Sequence, residues 1–118
     1  YGLCVQARPD SRMEDLKNHI NGGHPVIVLL QAWADSPMSI QIWREINQFG
    51  HYVVMIGFED QKLIFADPSS FQRTWLYEDE LSARWHFEVK GLNVNLNRMA
   101  VYFSGKDPID LNEMVHMD

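Results

Sequence analysis

Two polar residues stand inside the most apolar part of this chain, and their types suit acid–base chemistry. His51 opens the run Gly50-His51-Tyr52-Val53-Val54-Met55-Ile56-Gly57-Phe58, and Asp67 closes the run Lys62-Leu63-Ile64-Phe65-Ala66-Asp67. A carboxylate that accepts from one imidazole nitrogen fixes the ring's tautomer and leaves the other nitrogen to face a nucleophile. The plainer reading makes His51 a strand-edge residue and Asp67 a turn residue ahead of Pro68, where Asp is common.

Register separates the two readings. The runs are β-branched and aromatic, with the short polar Glu59-Asp60-Gln61 between them, and read as a hairpin. A two-residue loop, Asp60-Gln61, places Asp67 on the face of Val54 and Ile56 and turns His51 to the other side. An odd loop or a bulge places Asp67 opposite Val53, with His51 diagonally across on the same face, within roughly 7 Å. Pairing of His51 with Asp67 therefore requires the odd loop or the bulge. Both runs are apolar at alternate and intervening positions, so the strands are expected to be covered on both faces.

A nucleophile is not evident. Cys4, the only thiol, falls in an expected strand and not at a helix N-terminus, where its pKa would be lowered; it reads as a small apolar residue. His19 and His24 are five apart with Gly22-Gly23 between them. They lack the spacing that puts two ligands on one helix face, and His51, His86 and His116 are scattered. No metal and no cofactor is expected. Trp33, Trp43, Trp75 and Trp85 read as core and cleft-wall residues.

The elements around the hairpin follow from pattern. Tyr1 to Ala7 reads as a short strand ending at Arg8-Pro9. Ser11 with Glu14 three residues on has capping-box spacing, and Met13, Leu16 and Ile20 make one apolar stripe that ends at Gly22-Gly23. Pro25 to Trp33 is a strongly apolar strand stopped by Asp35-Ser36-Pro37. Met38 to Phe49 reads as a loop with a helical turn, and Thr74 to Tyr77 as a brief pairing segment. Glu78-Asp79-Glu80 opens a helix whose first turn favours carboxylates, docked by Leu81 and Trp85. Arg98 to Ser104 is a last strand. The order predicts an α+β domain with a mostly antiparallel sheet and one or two packed helices, spanning 1–105, with a tail over 106–118.

The 118 residues, 46% of them hydrophobic, suit one core. Net charge is −6, pI is near 5.2, and no two Lys or Arg residues are adjacent, which speaks against nucleic acid or an anionic membrane as partner. No apolar run approaches the roughly 20 residues of a membrane span, and no signal-like segment is read. One cysteine excludes an internal disulfide, and the compartment stays unread. The start at Tyr1, without Met, fits a trimmed chain or a piece of a longer one.

Beyond patterning, Gly-His-Tyr-Val-Val-Met-Ile-Gly-Phe followed by Leu-Ile-Phe-Ala-Asp-Pro-Ser resembles the His and Asp segments of papain-like cysteine peptidases of the bacteriocin-processing, double-glycine type. Flanking agreement comes from Met13 to Lys17, Gly23 to Val28 with Gln31-Ala32-Trp33, Glu80-Leu81 with Arg84-Trp85-His86, and Leu96 to Ala100. The resemblance runs from about residue 1 to 104. It implies a bacterial hydrolase fold in which His51 is general base and imidazolium partner of a thiolate, and Asp67 orients it. The family's cysteine, in a Cys-Gly-Pro-like helix start, and its oxyanion-hole glutamine precede the part that this chain resembles. Cys4 sits instead where the family has a Tyr-Gly-Leu strand.

The resemblance thus implies the sheet-bearing, C-terminal half of such a fold, inactive alone, acting on a peptide or protein substrate. The open sheet face would be covered by a homo-oligomer or by the missing N-terminal half. A non-catalytic peptide-binding module and a self-associating module are the alternatives, so whether the chain is an enzyme stays open on sequence.

Overall fold

The computed structural model describes residues 4–89, 94–105 and 116. The fold is α+β. Six strands form one antiparallel sheet: β1 (Cys4–Arg8), β2 (Val26–Gln31), β3 (Gly50–Glu59), β4 (Lys62–Ala66), β5 (Thr74–Tyr77) and, last among the described residues, β8 (Ala100–Ser104). Their spatial order is β1-β8-β2-β3-β4-β5, and a two-stranded ribbon, β6 (Glu88–Val89) with β7 (Val94–Asn95), stands apart. The helices are α1 (Met13–Asn21), α2 (Ile40–Glu45) and α3 (Glu78–Arg84).

The core lies on one face of the sheet. Val26, Val28 and Leu30 of β2, Val53 and Met55 of β3, and Leu63 and Phe65 of β4 are buried there, against Leu16 of α1 and Leu81 of α3. These alternate along each strand, as the two-residue period requires. The other face also carries apolar side chains and is open over β3 and β5, where Tyr52 is 62% exposed and Trp75 48%, while Leu29 and Gln31 of β2, of the same parity, are buried. The expectation of cover on both faces is therefore corrected. α1 and α3 contact the sheet on the core side, where Leu16 and Leu81 are buried, and α2 packs on α3.

Local chemistry moved some boundaries. The Ser11 hydroxyl donates back to the Arg8 carbonyl (3.2 Å), so it does not cap α1. The first turn is closed one residue later by the Arg12 amide donating to Asp15 Oδ2 (2.8 Å). Gly23, at φ +87°, takes the left-handed position that ends the helix. Within the segment read as a loop with a helical turn, residues 40–45 form α2, because Ser39 caps it through the Ile42 amide (3.3 Å) and Trp43 is buried. Leu81 and Trp85 dock α3 as its spacing predicts. Apart from His116, the expected tail over 106–118 lies outside the described residues.

Candidate functional site

Everything at the site depends on the register of β3 against β4. The loop is the two-residue Asp60-Gln61, with Glu59 facing Lys62, Phe58 facing Leu63 and Gly57 facing Ile64. Carried on unbroken, this register would set His51 and Asp67 on opposite faces. It does not carry on. A bulge between Met55 and Gly57 leaves Ile56 unpaired, after which Met55 faces Phe65 and Val54 faces Ala66. The extra residue reverses parity, so Met55, Val53 and His51 share the core face with Phe65 and, one step beyond β4, Asp67.

The result is a direct bond. His51 Nε2 lies 2.7 Å from Asp67 Oδ1, and the carboxylate is 3% exposed. Asp67 Oδ1 also accepts the Ser69 amide (2.8 Å), and Oδ2 accepts the Trp33 indole N–H (2.8 Å). Burial pushes the Asp67 carboxyl up. The Ser69 amide, the His51 ring and the Trp33 indole together outweigh it and hold the group below the usual aspartate range. An ionised carboxylate only accepts, so Nε2 carries the shared proton and, in the neutral ring, Nδ1 is the basic nitrogen. Nδ1 has no hydrogen-bond partner among the described residues.

The approach to His51 is built just as firmly. Gly50 lies against the Phe87 ring, leaving no room for a Cβ. Gln31, fully buried at the end of β2, accepts the Phe49 amide (2.8 Å) and donates to the His86 carbonyl (3.0 Å). Its amide nitrogen donates to the His86 carbonyl and to Asn47 Oδ1 (3.4 Å) and is not a free donor for an oxyanion. A cavity of about 230 Å³ adjoins the pair, lined by Trp33, Asp67, Leu30, Val53, Phe65 and Arg84 among others. A larger one, about 450 Å³, lies at α2, α3 and the segment after α3, and touches neither His51 nor Asp67.

Cys4 is elsewhere. It faces Ser104 on the edge strand, three strands across from β3 and about six residues along from the row of Leu30 and His51. Ordinary strand spacings make that roughly 20–25 Å. His19 instead bonds the Phe103 carbonyl and packs edge-on to Tyr102, His86 bonds the Trp43 carbonyl, and no group of three potential metal ligands occurs among the described residues. Sequence reasoning missed Trp33 as a donor. The signal was present as a tryptophan at a strand end, next to the polar break Asp35-Ser36.

Among the described residues no helix is long and apolar enough to cross a membrane. A family model described as Peptidase_C39 like family matches residues 3–89, well over half of the chain. No curated protein matches it, nor does any solved structure.

Proposed function

We propose a cysteine-peptidase-type role for this chain, which belongs to the Peptidase_C39 like family, with His51 as general base and Asp67 as its orienting carboxylate. One observation carries the reading: a bulge brings a buried, triply bonded carboxylate onto Nε2 of a histidine whose Nδ1 stays without a partner. Placed within hydrogen-bond reach of a thiol, Nδ1 takes its proton. The imidazolium is then stabilised by Asp67 and returns the proton to the leaving amine. Trp33 and Ser69 hold the carboxylate so that the ring keeps this tautomer.

The chain's part in the chemistry is base and orienter. Cys4 is too far from His51 to be the nucleophile, and Gln31 is bonded elsewhere, so the thiolate and the oxyanion donors come from outside the described residues. On this reading the chain is the sheet half of a papain-like hydrolase acting on a peptide or protein substrate, with residues 1–105 as the domain. The distance of Cys4 also supports a second reading, a peptidase-like module that binds a peptide without cutting it.

The test expresses the chain together with any sequence that precedes Tyr1 in its gene and applies a thiol-directed peptidase probe. Labelling of an upstream cysteine that falls about 100-fold in His51→Ala is the expected result. Labelling that persists in His51→Ala overturns the catalytic role, and no labelling at all favours the binding module.

A further inference from the structure

The small cavity beside the His51–Asp67 pair has apolar walls from Leu30, Val53, Phe65 and Leu76, and Trp33 and Trp75, both about half exposed, carry its lining out to solvent. Its charged groups are unequally matched. Asp67 is satisfied from within the protein by His51, Ser69 and Trp33. Arg84 is not. Its Nε is buried without a hydrogen-bond partner, and its Nη2 lies 3.8 Å from Glu80 Oε2, beyond hydrogen-bond distance. The Trp43 ring, 4.0 Å from Arg84 Cζ, attracts the cation without offering it a lone pair. A guanidinium carries five N–H donors, and a donor kept from water without an acceptor is costly. With its side chain only 18% exposed, Arg84 lacks an oxygen.

Charge decides what kind of oxygen. Glu80 already stands as counter-ion, Asp67 lines the same cavity, and the whole chain carries −6. A ligand carboxylate would be a third negative charge around one guanidinium. A carboxamide brings the acceptor without the charge, and its NH2 can donate to the hydroxyl of Thr74, also on the lining. The walls call for an apolar stem. At about 230 Å³ the cavity is smaller than the roughly 300–1,000 Å³ of pockets for drug-sized ligands, and suits one side chain. We propose that it is the subsite for a glutamine side chain of the peptide substrate, with Arg84 as the specificity-determining residue. The inference rests on the reading of the chain as peptide-acting, but on no nucleophile.

The experiment titrates the chain with capped tripeptides whose central residue is glutamine, glutamate or norleucine, and follows the Trp33 indole N–H resonance. The glutamine peptide should bind about tenfold tighter than either of the others. In Arg84→Met, which keeps an unbranched stem against Trp43, it should fall level with norleucine. Needing no variant, the wild-type Arg84 Nε–H resonance should shift with the glutamine peptide and stay with norleucine. Norleucine binding as tightly makes the cavity merely apolar, and glutamate binding as tightly makes it a charge site; either overturns the proposal. So does a glutamine preference that survives Arg84→Met, an unmoved Arg84 Nε–H, or no Trp33 shift with any peptide. A failed ranking beside His51-dependent labelling of an upstream cysteine strikes the subsite alone, and a kept ranking without such labelling strikes the catalytic reading alone.

Discussion

Asp67 accepts three hydrogen bonds while almost sealed from solvent, so its charge is both costly to bury and well compensated. Its carboxyl ionises below the usual range when folded. The stabilisation is therefore complete above the unfolded value of about 3.9 and is lost as pH falls through the folded value. Urea unfolding at stepped pH should show a stability flat in Asp67's contribution from neutral pH to about 4, then an acid limb. Asp67→Asn should lose about 1–3 kcal/mol at neutral pH and flatten that limb. Trp33→Phe keeps an aromatic ring and removes the donor to Oδ2, so the carboxyl should ionise at higher pH, and the limb should keep its onset near the unfolded value but be smaller and end at higher pH. An Asp67→Asn acid limb identical to wild type would show that the carboxylate is not held as described. His51 and Asp67 were legible in the sequence because a histidine and an aspartate are costly inside apolar runs. Trp33 was not, since a tryptophan at a strand end satisfies the core pattern with or without its N–H engaged.

At the level of elements the hairpin's apolar pattern announces two strands and a turn but not the register between them. Leu63 and Phe65 can meet β3 in either parity, because Val53, Val54, Met55 and Ile56 are all apolar. What decides is the unpaired Ile56, which lets Phe58 and Met55 face the same core although they are an odd number of residues apart. The α2 segment was hidden for a related reason: six residues are too few for a helical period to outweigh Ile40 and Ile42, which also fit alternation. The bulge makes a sharp prediction. Deleting Ile56 leaves every observed β3–β4 pair intact, so the hairpin should stay folded and keep the His51–Asp67 bond. Inserting an alanine between Ile64 and Phe65 gives Ile56 a partner and turns Met55, Val53 and His51 away from the face of Phe58. This should cost several kcal/mol, on the scale of losing two or more core side chains. The His51 ring N–H resonance and urea midpoints read both outcomes, and the order of the two variants reversed would refute the register.

Across the whole molecule, the His51–Asp67 pair and the exposed apolar residues Tyr52 and Trp75 lie on opposite sides of one sheet. The core face holds α1, α3 and, at one end, the His51–Asp67 pair; the other face exposes Tyr52 and Trp75, and Cys4 sits at the far edge strand. Fold class was readable from the order of patterns because each element is short and bounded by its own stop signal. The distance from Cys4 to His51 was not, since it depends on β8, the last strand among the described residues, inserting between β1 and β2. That insertion moves the thiol a further strand away from the histidine. At roughly 20–25 Å, beyond a Debye length of about 8–10 Å at ordinary ionic strength, a charge on His51 has little hold on Cys4. Alkylation of Cys4 by iodoacetamide, followed by mass spectrometry, should therefore proceed at the same rate in wild type and in His51→Ala, across the pH range in which imidazole titrates. A rate that fell severalfold in His51→Ala would place the thiol beside the histidine, and so contradict both the strand order and the assignment of the nucleophile to another segment.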